Sequence, residues 1–428
     1  MSLRTDIEVE IEEIGARGDG IGHLPDGARV FVPYTVPGDR VRARVAASDG
    51  EGIAARAVAW LAKGAAHGAP ACRHFGECGG CALQHVAPAF YTEWKRALVE
   101  TSLRRRGFDA VPIAPIATAA PGSRRRADFA AVRRKTDVLF GFNARASHRV
   151  VDLAECPVME PAIAALLAPL RALLLDLLKP ADKAGVAVTL TDSGLDVVLD
   201  SAIALGAGGR EKLAAFAEAH DLARLARRHP NARSAETIVE RRPVRMSFGG
   251  VAVDLPPGAF LQASRAGEAA LTAAVLEAVG AAPRVADLYA GCGTFSFPLA
   301  TRAGIAATVH AVDGVEPAIA ALTRAAQRAG LGRVGAAVRD LARRPLGPDE
   351  LRRFDAVLFY PPRAGAKEQD AALAHSAVPV IAAVSCNPAT FARDARLLVD
   401  GGYRLDWVRP VDQFLWSPHV ELVARFAR

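Results

Sequence analysis

Four of the six cysteines in this 428-residue chain are set apart by their spacing: Cys72, Cys78 and Cys81 in CRHFGECGGCALQH, then Cys156 in AECPVME. Any fold for this chain must bring a C-x5-C-x2-C loop against a segment far along the sequence. Thiolates gathered in that way hold a soft metal centre, either tetrahedral zinc or an iron–sulfur cluster, and the spacing does not decide between them. Gly79 and Gly80 let the backbone wrap closely around such a centre. No secretory signal is evident, so a disulfide framework is not expected.

The chain is 51% apolar and 23% charged, which suits several packed cores and excludes a disordered protein. A net charge of +7 suits a polyanionic partner without naming one. Arg104–Arg106, Arg124–Arg126 and Arg133–Lys135 are three dense basic runs, expected together to contact phosphates. The longest hydrophobic stretch, residues 163–178, is interrupted by Arg171 and Asp176 and reads as a buried helix face rather than a membrane span. The expectation is a cytoplasmic protein with no membrane partner.

Residues 4–62 alternate strand-like runs (7–14, 28–32, 39–46, 54–59) with glycine turns, the pattern of a small β-barrel of the OB type that binds nucleic acid. Residues 88–106 read as a helix with Phe90, Trp94, Ala97 and Leu98 on one side. From 116 to 250 strands (128–132, 138–142, 186–190, 195–199) mix with apolar helix, and the Ala-rich stretch 202–228 is expected to be helical. From 251 onward, VADLYAGCGTF, VHAVDG, FDAVLFYPP and VIAAVSCNP alternate with helical stretches, the rhythm of a doubly wound parallel sheet.

In that sheet, a strand carrying Asp287 opens into a Gly291-x-Gly293 turn. It is not G-x-G-x-x-G, so it points to S-adenosylmethionine in a class I methyltransferase before a dinucleotide. Asp313 ends the second strand, where a carboxylate accepts hydrogen bonds from ribose hydroxyls, and Asp340 follows the third, placed to reach adenine. Cys386 follows the apolar strand VIAAV at the carboxyl end of the sheet, where open α/β sheets bind ligands. Methylation of carbon 5 of a uracil needs such a nucleophile, because a thiolate must first add to carbon 6 to make carbon 5 reactive. It also needs a base to remove the carbon-5 proton afterwards, and Glu421 in SPHVELVARF is the candidate.

Taken together, IEEIGARGDGIG, VPYTVPGDRV, C-x5-CGGCALQH, SRRRADF, LFGFN with ECPVM, AFLQAS, DLYAGCGTF, PPRAGA, SCNPAT and HVE resemble one family over essentially the whole chain. It is that of the bacterial RNA uridine-5-methyltransferases with an N-terminal TRAM domain, a 4Fe–4S cluster and a class I methyltransferase domain. The 23S ribosomal RNA enzymes are the nearest in layout. The resemblance implies a small OB-like TRAM barrel over 1–63 and a central mixed α/β domain with the iron–sulfur motif over 64–250. A Rossmann-like class I domain follows over 251–428, and segment 85–115 is able to pack with it. It further implies a 4Fe–4S cluster on Cys72, Cys78, Cys81 and Cys156, a flipped uridine, Cys386 as nucleophile and Glu421 as proton acceptor. S-adenosylmethionine is expected against Gln262, Tyr289, Thr294, Asp313, Asp340 and Tyr360. The implied partner is 23S rRNA, with a tRNA uridine as the alternative, and monomeric action is the family expectation.

Three positions depart from the family pattern. Tyr360 stands in YPPR where an acid is usual, and a phenol supplies no fixed negative charge at neutral pH. Phe414-Leu415-Trp416-Ser417 replaces an FPHT element at equal length, and Ser264 stands in for an asparagine. The first of these motivates a competing reading, a catalytically reduced RNA-binding homologue. A radical methylthiotransferase would need C-x3-C-x2-C, which the chain lacks.

Overall fold

A computed structural model describes residues 5–232 and 234–428; the first four residues of the expected 1–63 unit and Arg233 lie outside the described residues. At the N-terminus six strands (Asp6–Glu10, Glu13–Ile14, Asp19–His23, Arg29–Pro33, Arg40–Asp49, Gly52–Ala62) form one sheet, in the order first, fifth, sixth, fourth, third, second. The two edge strands are consecutive in the chain, so the sheet curls until its edges meet at residues 11–12. There the Ile11 amide donates to Asp39 and the Glu12 amide to Ile21. Alternation sets the faces: Ile7, Val9 and Ile11 bury against Val41, Ala43 and Val45. Asp6 and Glu8 point outward, where the register pairs them with Arg44 and Arg42. Such exposed pairs are screened by solvent and add little to stability.

The central sheet has seven strands, with helices Leu167–Leu177 and Ala207–Ala219 packed on it. One expectation fails here: the stretch 202–228 is not all helix, because Arg224–Arg228 is a strand paired in parallel with Gly194–Asp200. Composition favours helix, but Arg224 gives two donors to Asp196 at 2.9 and 2.8 Å with both groups buried, and tertiary pairing overrides propensity.

The basic runs also require correction. Arg125 is fully buried; it pairs with Glu268 and donates through Nε to the Gln262 carbonyl at 2.9 Å. Arg126 donates to the Leu261 carbonyl at 2.8 Å. This run straps the central sheet to the segment that carries Gln262, and Arg125 has no surface to offer a phosphate. Arg104 pairs with Glu100 and Arg134 with Asp137, whereas Arg105, Arg106 and Lys135 remain exposed.

The C-terminal sheet orders its strands Val334–Val338, Thr308–Asp313, Arg284–Leu288, Ala356–Phe359, Val380–Ser385, Glu421–Ala427, Arg404–Asp412 and Ala117–Thr118. The first five are parallel, and Glu421–Ala427 inserts antiparallel beside Val380–Ser385. The helix Arg265–Val279 that packs on this sheet is capped by Ser264, whose hydroxyl accepts from the Gly267 amide at 3.0 Å. Serine therefore serves at this position as a normal N-cap. Helix Pro88–Arg104 buries Val99 and Leu103 in the same core as Phe391, Leu398 and Val408 of the C-terminal unit. No helix among the described residues is long and apolar enough to cross a membrane.

Candidate active site

Parallel strands present their carboxyl ends on one edge, and the first candidate residues gather there. After Arg284–Leu288 the chain turns through Tyr289 (φ 64°), Gly291 (φ 55°) and Gly293 (φ 93°). A Cβ on Gly293 would lie 2.7 Å from the Phe297 ring, so only glycine fits that turn. Tyr289 adopts the same left-handed region without that freedom, a local strain typical of ligand-binding turns. Asp313 ties the turn to the second strand: its two oxygens accept from the Gly291 amide at 2.9 Å and the Val315 amide at 2.8 Å. A carboxylate has further lone pairs, so Asp313 can still accept from hydroxyls. Asp287, fully buried and bonded by the Ser296 hydroxyl, is pushed up to about 7 by burial. Thr294 is half-buried in the turn. Asp340 is exposed beyond the third strand, its Oδ1 accepting from the Ala342 and Arg343 amides. Two exposed apolar side chains at the same strand ends, Val315 and Val338, were not singled out from the sequence; isolated valines give no signal there until the sheet order is known.

At the other half of this edge, antiparallel register makes the pairing. Ser385 pairs with Leu422, which sets the next residues, Cys386 and Glu421, side by side. The Cys386 thiol is pushed up to about 11, by burial and by the Glu421 charge, with the Arg363 guanidinium opposing. Burial pushes the Glu421 carboxyl up to about 7, while the Tyr360 hydroxyl and the Gln413 amide act to lower it. Oε2 of Glu421 is buried without a hydrogen-bond partner. Gln413 donates to Oε1 of the buried Gln262 at 2.8 Å and accepts from the Ala263 amide at 2.8 Å. Tyr360, its phenol pushed up by burial and then by Glu421, faces Gln262, Glu421 and Cys386. Cys386, Glu421, Gln262 and Tyr360 thus gather as one cluster on this half of the edge. Tyr289, Thr294 and Asp313 share the glycine turn, and Asp340 stands apart at the rim. Gln413 and Arg363 were missed from the sequence, since neither lies in a motif whose chemistry marks it.

The four spaced cysteines line a single cavity of about 420 Å³, together with Arg124, Phe142, Phe414 and His419. Two ties build it. The Gly79 amide donates to the Asn143 carbonyl at 2.9 Å, where a Cβ would lie 2.8 Å from that oxygen. The Ala154 amide donates to His74 Nε2 at 3.1 Å, drawing the Cys156 segment onto the loop. Burial raises the Cys78 and Cys156 thiols and pushes Cys81 up to about 12. All four are free thiols. Among the described residues, no three His, Cys, Asp or Glu side chains converge as one metal ion requires.

The TRAM domain family matches residues 3–50. An RNA methyltransferase of Brucella suis is 45% identical over 418 residues, covering 97% of each chain. The 23S rRNA (uracil(1939)-C(5))-methyltransferase of Chromohalobacter salexigens is 33% identical, covering 98% of this chain and 89% of its own. The solved tRNA (uracil-54, C5)-methyltransferase of Pyrococcus abyssi, in complex with S-adenosyl-L-homocysteine, shares the fold with a TM-score of 0.76. It is 24% identical and covers 98% of this chain and 99% of its own. With a curled N-terminal sheet, a class I sheet and relatives of this identity over nearly its full length, the chain belongs to the S-adenosylmethionine-dependent RNA (uracil-5-)methyltransferase family.

Proposed function

We propose that this enzyme methylates carbon 5 of a uridine in 23S rRNA, with Cys386 as nucleophile and Glu421 as base. The observation that carries the reading is the Ser385–Leu422 register, which sets a thiol beside a buried carboxylate at the carboxyl edge of the sheet. S-adenosylmethionine supplies an electrophilic methyl group there. Tyr289, Thr294 and Asp313 hold it at the glycine turn, Asp340 and Gln262 bound it, and Val315 and Val338 offer apolar surface to the adenine. The target base leaves its stack to enter the pocket. Cys386 gives its proton to solvent, its thiolate favoured by the Arg363 charge, and bonds to carbon 6; the electron pair so placed at carbon 5 takes the methyl group and S-adenosylhomocysteine leaves. Glu421 then accepts the carbon-5 proton, the carbon–sulfur bond breaks, and the 5,6 double bond returns. A carboxyl near 7 is matched to that task at neutral pH.

The four cysteines are assigned a 4Fe–4S cluster. Burial makes the Cys78, Cys81 and Cys156 thiols costly to ionise in isolation, and coordination to a cationic centre would relieve that cost. Four cysteines on the lining of one cavity of about 420 Å³, with no three donors converging on one point among the described residues, suit a cluster better than one zinc ion. Methyl transfer needs no redox step, so the cluster's part is taken to be structural or RNA-orienting. The protein is placed in the cytoplasm, acting as a monomer.

The test is incubation with 5-fluorouridine-substituted RNA and S-adenosylmethionine, scored for a denaturant-stable protein–RNA adduct. An adduct with 23S rRNA, absent in Cys386→Ala, is expected. An adduct with tRNA alone would move the substrate to the alternative class. Absence of any adduct while RNA binds would leave a binding role.

A further inference from the structure

The stretch between Asp412 and Glu421 carries the residues that replace the family's FPHT element, and one buried side chain from a distant helix spends itself entirely on it. Lys95 is fully buried, and an ammonium has three donors. All three go to this stretch: to Asp412 Oδ1, to the Phe414 carbonyl at 3.2 Å and to the His419 carbonyl at 2.8 Å. The two ends of the loop are therefore pinned to one point, two residues before Glu421. Tyr91, one helical turn earlier, donates to the other Asp412 oxygen at 2.6 Å and accepts from the Trp416 amide at 2.8 Å. The Trp416 carbonyl in turn accepts from the Ala82 and Leu83 amides at 2.8 and 3.0 Å, and Trp416 sits at φ 59°, a strained conformation that these contacts maintain. Gln413, inside the same loop, faces Glu421 and bonds Gln262.

A buried ion pair returns little net stability compared with apolar packing of similar volume, and fixing one conformation is its best-attested use. We propose that Lys95, with Tyr91 and Asp412, is a positioning residue for the catalytic base, holding the 412–420 loop so that the Glu421 carboxylate meets carbon 5 of the target. The proposal deepens the reading of Glu421 as the base and rests on it.

The consequence is specific to one step. If the loop loosens, addition of Cys386 and methyl transfer continue, but proton removal slows and the methylated covalent adduct persists. Lys95→Met and Tyr91→Phe are compared with wild type and Glu421→Gln on unmodified 23S RNA with methyl-labelled S-adenosylmethionine. The readouts are S-adenosylhomocysteine affinity, turnover and denaturant-stable labelled adduct. Lys95→Met is expected to lose about a hundredfold in turnover, the scale of a misplacement near 1 Å, and to accumulate adduct with cofactor affinity unchanged. Tyr91→Phe, which removes one oxygen and keeps the ring, is expected to act in the same direction and more weakly. Unchanged turnover in both variants overturns the proposal. So does parallel loss of adduct and cofactor binding in Tyr91→Phe, which would mean that the cluster of contacts supports the fold at large. If Glu421→Gln itself turns over normally, the base reading fails. If it accumulates adduct and neither of the other variants does, only the positioning role fails.

Discussion

Two thiol centres in this molecule start from the same physics and are proposed to serve different chemistry. Around the 420 Å³ cavity, burial raises the Cys78, Cys81 and Cys156 thiols, and the charge of neighbouring cysteines raises them further. At Cys386, burial and the Glu421 charge push the thiol up to about 11, with the Arg363 guanidinium and a backbone hydrogen bond opposing them. A buried thiol is inert until something positive or reactive arrives. Four together, facing one cavity, suit a permanent cationic centre. One alone, beside a carboxylate and at the open edge of a sheet, suits a nucleophile that ionises only when its target is bound. The sharpest break of this contrast is Cys386→Ala. Turnover is expected to fall by at least about 10⁴-fold, as removal of a nucleophile does elsewhere. S-adenosylhomocysteine affinity, read by calorimetry, is expected to stay unchanged, because the glycine turn lies on the other half of the edge.

Glu421→Gln comes next. Loss of a general base costs roughly 10² to 10⁴ in rate, with the covalent adduct accumulating. The same variant tests the carboxyl's environment. Burial raises it from 4.5 to about 7, so the fold favours the protonated form. That contribution is full below pH 4.5 and is lost as the pH rises through 7. Removing the ionisable group should therefore stabilise the protein above pH 7, by no more than about 3 kcal/mol, with the gain fading towards pH 4.5. Denaturant titrations at pH 5 and pH 8 measure it, and equal stability differences at both would contradict the burial argument.

For the other centre, Cys81→Ser is expected to abolish iron content and visible absorbance after anaerobic purification and to lower Tm by several degrees, while Cys386 remains competent to form the fluorouridine adduct at reduced yield. A metal bound to one state adds to folding stability, so the loss appears as heat lability rather than as a changed pH profile. Full iron retention would dissolve the contrast between the two centres.

The same comparison shows what the sequence can display. The glycine turn was legible because its needs are local: a strand, positive φ and close approach mark Gly291 and Gly293. Cys386 was legible as a thiol after an apolar strand. Glu421 entered only through the chemistry and the family pattern, because its place depends on an antiparallel register that no local signal encodes. Lys95 was invisible. On the helix 88–106 the apolar side was read as Phe90, Trp94, Ala97 and Leu98, whereas the buried set is Tyr91, Trp94, Lys95, Val99 and Leu103. The helix turns its other side to a cleft beneath the N-terminal sheet that Phe90, Ala97 and Leu98 line. A lysine can be core only if its three donors are met, and its partners lie more than three hundred residues away in the chain. The Arg124–Arg126 run misled for the same reason: charge is read locally, burial is not.

The smallest expected effect concerns Tyr360, which sits where the family carries an acid. A second carboxylate there would share a buried site with Glu421, and like charges so placed raise each other's pKa. A phenol instead turns a donor towards Glu421 and favours its charged form. On the proposed reading, Tyr360 is expected to retune the base rather than disable the site. Tyr360→Phe removes the donor and keeps the ring beside Phe295. A hydrogen bond to a charged group is worth about 1 kcal/mol more than one to a neutral group, so the acid limb of the kcat profile should move upward by between about half and one pH unit. Activity falls several-fold at pH 7 and recovers by pH 8.5, with the fluorouridine adduct forming at the wild-type rate above the shifted limb. Tyr360→Asp should move the limb further in the same direction. An acid limb that stays in place in Tyr360→Phe would mean that the phenol does not govern Glu421, and that this base is set near 7 by burial alone.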